Sequence, residues 1–205
     1  MNIAVFASGR GSNFQAILDA IRLGTLPARV CLLLSNSARA GALALARSQD
    51  IATAHVDRGS HTSDEAFTEA MAHELDEHGA DLIALAGYLK RVPSPVVHRF
   101  RDRILNIHPA LLPSFGGKGM FGHAVHEAVL ASGTKLSGAT VHLVDEEYDR
   151  GPIVAQQSVP VLPDDTPDSL AHRVLNVEHV LYPATLAAFV EGRVSIQGSK
   201  AWIRE

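Results

Sequence analysis

The chain has 205 residues, of which 46% are hydrophobic and 20% are charged, and its formal net charge is −4. This composition excludes a disordered chain, and the negative charge argues against the basic surface typical of nucleic-acid-binding proteins. The longest apolar stretches are too short to span a membrane, and the single cysteine, Cys31, excludes an intramolecular disulfide. Because no signal peptide is recognisable, we expect a cytoplasmic protein that acts on small molecules and binds neither nucleic acid nor membranes.

The first half of the chain alternates apolar runs of strand length with helical patterns. The predicted strands cover residues 2–7, 30–34, 51–56, 81–86 and 103–108, and the predicted helices begin near residues 12, 40 and 62. Ser12 with Gln15, and Thr62 with Glu65, are each predicted to form a capping box at a helix start. Strands that alternate with helices indicate an α/β protein with an open, mostly parallel, doubly wound sheet of the Rossmann-like kind.

The second half of the chain has a different pattern. The predicted elements are a glycine-rich loop, a helix and two strands, at residues 114–122, 124–131, 138–144 and 153–159. The two strands are joined by an acidic turn and would add an antiparallel hairpin to the sheet. Thr166 and Pro167 predict the cap and the first residue of a long C-terminal helix. Because no convincing linker interrupts the chain, we expect a single domain over residues 1–205.

The turn after the first strand has the composition of an anion-binding site. Gly9 and Gly11 flank Arg10 where a strand leads into a helix, and a helix N-terminus favours an anion through its free N–H groups and its dipole. Phe14 stands where the dinucleotide-binding fingerprint has its third glycine, so the pattern favours a single phosphate over a dinucleotide. A plain turn that uses glycine for its backbone angles explains the pattern equally well.

Asn106 and His108 place two polar side chains on one face of the predicted strand 103–108, at its C-terminal end. Ligands of open α/β sheets bind beyond the carboxyl ends of the strands. A histidine can give or take a proton near neutral pH, and an asparagine amide can donate a hydrogen bond to a developing oxyanion. The pattern favours a catalytic pair over the alternative, a buried polar pair that fixes the turn at Pro109.

The acidic turn between the two later strands contains Asp145, Glu146, Glu147 and Asp149. A carboxylate placed against His108 would raise the pKa of that histidine and hold its orientation. For any one of these acids, however, a solvent-exposed position is the simpler expectation.

The other histidines show no zinc-ligand spacing. His123 and His126 are three residues apart on a predicted helix, but no third ligand is evident, so we expect no metal site. His142 alternates with apolar neighbours on a predicted strand, and the pattern leaves open which side it faces.

Four segments resemble the phosphoribosylglycinamide formyltransferase family, and the resemblance covers nearly the whole chain. The segments are residues 6–13, 85–91, 105–113 and 149–152. The run from Asn106 to Pro113 is highly specific for folate formyl enzymes. The Gly11-Ser12-Asn13 turn and the short chain favour the glycinamide branch of these enzymes.

The resemblance implies transfer of the formyl group of 10-formyltetrahydrofolate, a co-substrate, to the amine of N1-(5-phospho-D-ribosyl)glycinamide in de novo purine biosynthesis. It implies that Asn106 and His108 stabilise an oxyanion while Asp149 raises the pKa of His108. The phosphate-binding half would cover residues 1 to about 100, and the catalytic and folate-binding half the remainder. The implied binding residues are Gly11, Ser12 and Asn13 for the substrate phosphate, Glu178 for the glycinamide, and Leu89, Lys90, Arg91, Val92, Asn106, Val144, Asp145, Glu146, Glu147, Tyr148 and Asp149 for the folate.

Two positions depart from the family pattern. Asp64 stands where some members carry an arginine that aids folate binding, and Leu175 stands where some carry a glutamine, so neither role is carried over. Lys118 fits either a phosphate or ribose contact or a plain surface position.

Other functions remain as alternatives. A formyltetrahydrofolate hydrolase would share Asn106, His108 and Asp149 but usually has an extra N-terminal regulatory domain. A transfer-RNA formyltransferase would need a further C-terminal domain and a basic surface. A non-catalytic phosphosugar-binding domain would explain the glycine turn but not the polar pair. The sequence does not distinguish a monomer from a homodimer.

Overall fold

The computed structural model describes residues 1–204. The chain divides into two compact units, Met1–Leu105 and a second that begins at Asn106. This boundary lies near the division expected at about residue 100, and the single domain stays a prediction. No helix within residues 1–204 is both long enough and apolar enough to cross a membrane.

The first unit contains four parallel strands that alternate with helices. The strands are β1 (Asn2–Phe6), β2 (Arg29–Ser35), β3 (Thr53–His55) and β4 (Leu82–Leu85), and the helices are α1 (Ser12–Arg22), α2 (Gly41–Arg47), α3 (Asp64–Glu77) and α4 (Ser94–Arg99). Strand β1 lies between β2 and β4, and β3 pairs with β2. Apart from Asn2, every residue of β1 and β4 is buried, as expected for parallel strands covered on both faces.

The second unit contains an antiparallel pair of strands packed against a long helix. Strand β5 (Ile104–His108) leads into this unit, and the later elements are α5 (His123–Ser132), β6 (Leu136–Leu143), β7 (Ile153–Pro160), α6 (Pro167–Val190), β8 (Val194–Gln197) and β9 (Lys200–Ile203). The β6–β7 register runs from Leu136 opposite Pro160 to His142 opposite Ile153. Helix α6 packs against α5, β6 and β7, and this packing buries Leu170, Val174 and Tyr182.

The predicted fold class is confirmed. Seven strands pair in the order β3-β2-β1-β4-β5-β6-β7, with β6 and β7 antiparallel, and β8 and β9 form a separate two-stranded hairpin. The predicted cap of the last helix is also confirmed, because the Thr166 hydroxyl accepts a hydrogen bond from the Ser169 N–H and Pro167 is the first helical residue.

Two predicted capping boxes are wrong. Gly11, not Ser12, is the N-cap of α1, and no side chain caps this helix. Helix α3 is capped by Ser63, one residue after the predicted Thr62, and its third residue is Ala66, which has no side-chain acceptor to complete the box. Helix α4 and the β8–β9 hairpin were not predicted, because elements of six and four residues are too short to show a clear period.

Gly151 follows the acidic turn, and we expect Gly151→Ala to destabilise the fold by about 3 kcal/mol. A Cβ atom at this position would overlap the backbone carbonyl of Leu143, which cannot move without disturbing the end of β6. Urea unfolding measures the loss. Gly9→Ala is the control, because a Cβ there meets no atom within 4 Å. Equal midpoints for the two variants would contradict the prediction.

Candidate active site

Asn106 and His108 lie at the C-terminal end of β5, as predicted. His108 is buried, with 3% of its surface exposed, and Asn106 is half-buried. The His108 Nε2 atom lies 2.8 Å from the Phe115 carbonyl oxygen. Because a carbonyl only accepts, Nε2 carries the proton and donates it, and in the neutral imidazole Nδ1 carries none.

Asp149 is the acid that the structure brings to His108. Its Oδ2 atom lies 3.7 Å from His108 Nδ1 and accepts a hydrogen bond of 2.8 Å from the Gly117 N–H. The Asp149 side chain is 12% exposed, whereas Asp145, Glu146 and Glu147 are exposed. The expectation of a solvent-exposed position therefore holds for three of the four acids and is wrong for Asp149.

His142 completes this cluster, and the sequence did not identify it. Its ring is 2% exposed, and its Nδ1 atom donates to the Leu143 carbonyl at 2.8 Å. Its Nε2 atom lies 3.0 Å from Asn106 Nδ2 and 3.5 Å from Asp149 Oδ1. The only sequence signal was a histidine within the apolar strand β6, where an unsatisfied polar group would be costly. His142 thus connects Asn106 to Asp149.

The electrostatics of His108 differ from the expectation. Burial lowers the pKa of His108, the negative charge of Asp149 and the hydrogen bond to Phe115 raise it, and nearby His142 lowers it. The contribution of Asp149 has the predicted direction, but burial outweighs it, so the net pKa lies below the usual value. The predicted direction of the Asp149 contribution is therefore confirmed, whereas burial sets the net pKa of His108.

The carboxyl group of Asp149 is held in its ionised form. Burial raises its pKa, but the hydrogen bond from the Gly117 N–H and the nearby side chains of His108 and His142 leave the pKa below its usual value. The His142 Nε2 atom lies between two side chains, at 3.0 Å from Asn106 Nδ2 and 3.5 Å from Asp149 Oδ1. We assign the Nε2 hydrogen bond to Asn106, because 3.0 Å is shorter than 3.5 Å.

We expect the free energy of unfolding to fall as the pH drops below about 6.5, the unfolded pKa of histidine. Burial lowers the pKa of His126 and of His108, so the unfolded chain binds protons that the folded chain excludes. His126 is 5% exposed, and its Nδ1 has no hydrogen-bond partner within the described chain. Hence His126→Leu should lose less stability between pH 7 and pH 5 than the wild type, measured by urea unfolding. The exposed His172→Leu is the control, and equal losses in all three proteins would contradict the prediction.

The predicted phosphate-binding turn lies in the first unit. Gly11 is the N-cap of α1 in the left-handed conformation, and a Cβ there would lie 2.9 Å from the Cβ of Ala42. Both the backbone conformation and the close contact therefore require glycine at this position. Gly11 has no side chain with which to cap α1, and the N-terminus of a helix favours an anion. Ser12 is half-buried and Asn13 is buried at this helix start.

A cavity of about 890 Å³ in the first unit contains three of the predicted folate residues, Lys90, Arg91 and Val92. Leu89 is 48% exposed, and its N–H donates to the Ser8 hydroxyl. Tyr88, which the sequence did not single out, also lines the cavity. Its ring is 8% exposed, and its buried hydroxyl has no hydrogen-bond partner within residues 1–204. A ligand group in the cavity could satisfy this hydroxyl.

The remaining residues discussed from the sequence, as binding residues or as departures from the family pattern, occur in both units. In the second unit Val144 is half-buried, Tyr148 is 44% exposed, and Glu178 is buried on α6 with 7% of its surface exposed. Lys118 is exposed and Leu175 is half-buried. In the first unit Asp64 lines the cavity, and its carboxylate forms an ion pair with the guanidinium group of Arg58.

One group of three side chains could coordinate a metal ion, and it lies outside the predicted catalytic and binding residues. Within residues 1–204, Glu74, Glu77 and His78 are the one set whose ligand atoms lie within 4.8 Å of one another. They lie at the C-terminal end of α3, and exposed acidic groups commonly cluster in this way without a metal. His123 and His126 do not join such a set.

Comparison with known proteins identifies the family. Residues 1–186 match the formyl transferase family. The phosphoribosylglycinamide formyltransferase of Escherichia coli K12 is 36% identical over 203 residues, which cover 99% of this chain and 93% of the bacterial protein. The chain belongs to the phosphoribosylglycinamide formyltransferase family. The resemblance carried by the four sequence segments is thus confirmed.

Other members of the phosphoribosylglycinamide formyltransferase family are similarly close. Glycinamide ribonucleotide transformylase 1 from Symbiobacterium toebii superposes with a TM-score of 0.94 at 41% identity, over 100% of this chain and 94% of that chain. The chloroplastic phosphoribosylglycinamide formyltransferase of Arabidopsis thaliana is 46% identical over 193 residues, or 94% of this chain. The chain spans 66% of the length of that plant relative.

Proposed function

We propose that this chain transfers the formyl group of 10-formyltetrahydrofolate to the amine of N1-(5-phospho-D-ribosyl)glycinamide, a step of purine biosynthesis. The observation that carries the proposal is the cluster of Asn106, His108 and Asp149, which His142 connects, in a member of this family. A phosphosugar-binding domain without catalysis would gain nothing from a buried carboxylate held against a buried histidine. Such a pair is costly unless it is used.

The proposed reaction is a direct transfer without a covalent enzyme intermediate. The neutral substrate amine attacks the formyl carbon, a carbon–nitrogen bond forms, and the formyl oxygen becomes anionic. Asn106 donates an amide hydrogen bond to that oxygen. The intermediate then collapses, the bond between the carbon and the folate nitrogen breaks, and a proton passes from the attacking amine to the leaving nitrogen.

His108 is proposed to stabilise the negative charge of the developing oxyanion, and Asp149 to favour the protonated form of His108. Burial keeps the pKa of His108 low in the free protein, so the imidazole is mainly neutral at pH 7. A nearby oxyanion raises the pKa of a histidine, and the ionised Asp149 adds to this effect. The form of His108 that stabilises the oxyanion is therefore the imidazolium, which takes its proton from solvent before the amine attacks.

The binding residues keep the roles expected from the family. We propose that Gly11, Ser12 and Asn13 bind the substrate phosphate at the N-terminus of α1, where the helix dipole favours an anion. Glu178 contacts the glycinamide group. The folate binds to Leu89, Lys90, Arg91 and Val92, to Asn106, and to the segment from Val144 to Asp149.

We further propose a cytoplasmic enzyme that consists of one formyltransferase domain and uses no metal. The proposed reaction needs only an amine nucleophile and hydrogen-bond donors, so no Lewis acid is required. The lone Cys31 is consistent with a reducing compartment.

The test is a deformylation assay with 10-formyl-5,8-dideazafolate, followed by absorbance, with and without glycinamide ribonucleotide. Turnover that requires the ribonucleotide supports the transferase. Equal turnover in both reactions would instead indicate a formyltetrahydrofolate hydrolase, and no turnover in either would return the phosphosugar-binding domain to consideration.

A further inference from the structure

His142 is a buried polar residue to which the reaction described above gives no role. It is 2% exposed on β6, and both ring nitrogens have defined partners. Nδ1 donates to the Leu143 carbonyl at 2.8 Å, and this carbonyl can only accept, so Nδ1 must carry a proton. A neutral imidazole with its proton on Nδ1 has a lone pair on Nε2. His142 is therefore built to accept a hydrogen bond at Nε2.

The donor to this lone pair is the Asn106 side chain. Asn106 Nδ2 lies 3.0 Å from His142 Nε2, and this is the one hydrogen bond of the Asn106 side chain in the described part of the chain. An asparagine amide can rotate by half a turn and exchange its oxygen and nitrogen, since the two ends have almost the same shape. An acceptor at the position of His142 Nε2 stabilises one of these orientations and disfavours the other.

The orientation of the amide decides whether Asn106 can act. With Nδ2 held by His142 through one hydrogen, the nitrogen keeps a second hydrogen for a ligand oxygen. In the rotated amide a carbonyl oxygen would replace this donor and repel a developing oxyanion. We infer that His142 is a positioning residue: it fixes the Asn106 amide in the orientation that presents N–H to the oxyanion. The expected effect on kcat rests on the proposed function, whereas the hydrogen bond between His142 and Asn106 does not.

Two substitutions of His142 distinguish the acceptor at Nε2 from the rest of the imidazole ring. His142→Asn places an amide near the position of Nδ1, so it can still donate to Leu143 but offers no acceptor to Asn106. His142→Gln reaches the position of Nε2 and restores an acceptor there. Because both variants are amides of similar polarity, their difference reports on the bond to Asn106.

We expect His142→Asn to lower kcat by about 10-fold to 100-fold with little change in KM, and His142→Gln to recover most of that loss. In an Asn106→Ala background, His142→Asn should add less than about a 2-fold further loss, because coupled residues are not additive. Thermal unfolding identifies any variant that fails to fold. Equal losses in both His142 variants, or losses that multiply in the Asn106→Ala background, would overturn the inference.

A second measurement does not depend on activity. The ¹⁵N NMR shifts of the His142 ring at pH 7 should show a protonated Nδ1 and an unprotonated Nε2, and Asn106→Ala should shift the Nε2 signal. A protonated Nε2 would contradict the inference even if the wild type transfers formyl groups. The expected shifts in a protein without transfer activity would uphold the positioning contact and reject only the proposed function.

Discussion

Asn106→Ala should lower kcat by about 100-fold to 1000-fold and leave KM for both substrates within a few-fold of the wild type. The amide acts on charge that exists only in the transition state, so its removal costs little in ground-state binding. Asn106 is half-buried, and within residues 1–204 its side chain has a single partner, His142, so the substitution leaves one acceptor unsatisfied and should not unfold the chain. Steady-state kinetics with the formyl donor and glycinamide ribonucleotide measure the effect.

Asn176→Ala provides the matched control. Asn176 is an exposed residue of α6, and its amide lies 3.5 Å from His172 at the limit of a hydrogen bond, so we expect no change in kcat. If Asn106→Ala retained wild-type kcat with intact substrate binding, Asn106 would not be the oxyanion donor, and the role proposed for His142 would lose its basis.

Asp149→Asn should lower kcat at pH 7.5 by about 100-fold, because His108 loses the charge that favours its protonation. The substitution preserves the shape of the side chain and removes only its charge. Asp149 raises the pKa of His108, so its loss lowers that pKa further below the usual value. A smaller fraction of His108 is then protonated at any given pH, and a lower pH restores it. The ratio of wild-type to variant kcat should therefore stay constant while the pH is above the pKa of His108 in both proteins, and shrink once the pH falls below about 6.5 and reaches the lowered pKa of the wild-type histidine.

The exposed Asp164→Asn is the control for the loss of one negative charge. It should leave both kcat and its pH dependence unchanged, since a distant surface charge is screened by solvent. A ratio for Asp149→Asn that did not shrink at any pH below about 6.5 at which both proteins stay folded would show that Asp149 does not act through the protonation of His108. In that case its contribution would be limited to holding the loop at Gly117, where it accepts a backbone hydrogen bond.

The sequence determined the elements whose pattern is local and long. The apolar runs at β1 and β4 predicted buried parallel strands, and the signals at Thr166 and Pro167 predicted the start of α6, because capping depends on residues within one helical turn. Local capping rules failed at Ser12, where the backbone of Gly11 enters the left-handed conformation and takes the N-cap position. The short α4 and the β8–β9 hairpin carried too little periodicity to be recognised.

The sequence by itself also determined the family and the pair Asn106 and His108, since both belong to one short run whose spacing fixes a shared strand face. Only the tertiary structure selected Asp149 from four neighbouring acids, brought His142 from β6 to Asn106, and set the net direction of the His108 pKa. These features depend on contacts between residues more than thirty positions apart and on burial. Neither can be derived from local spacing, because distance and desolvation exist only once the chain is folded.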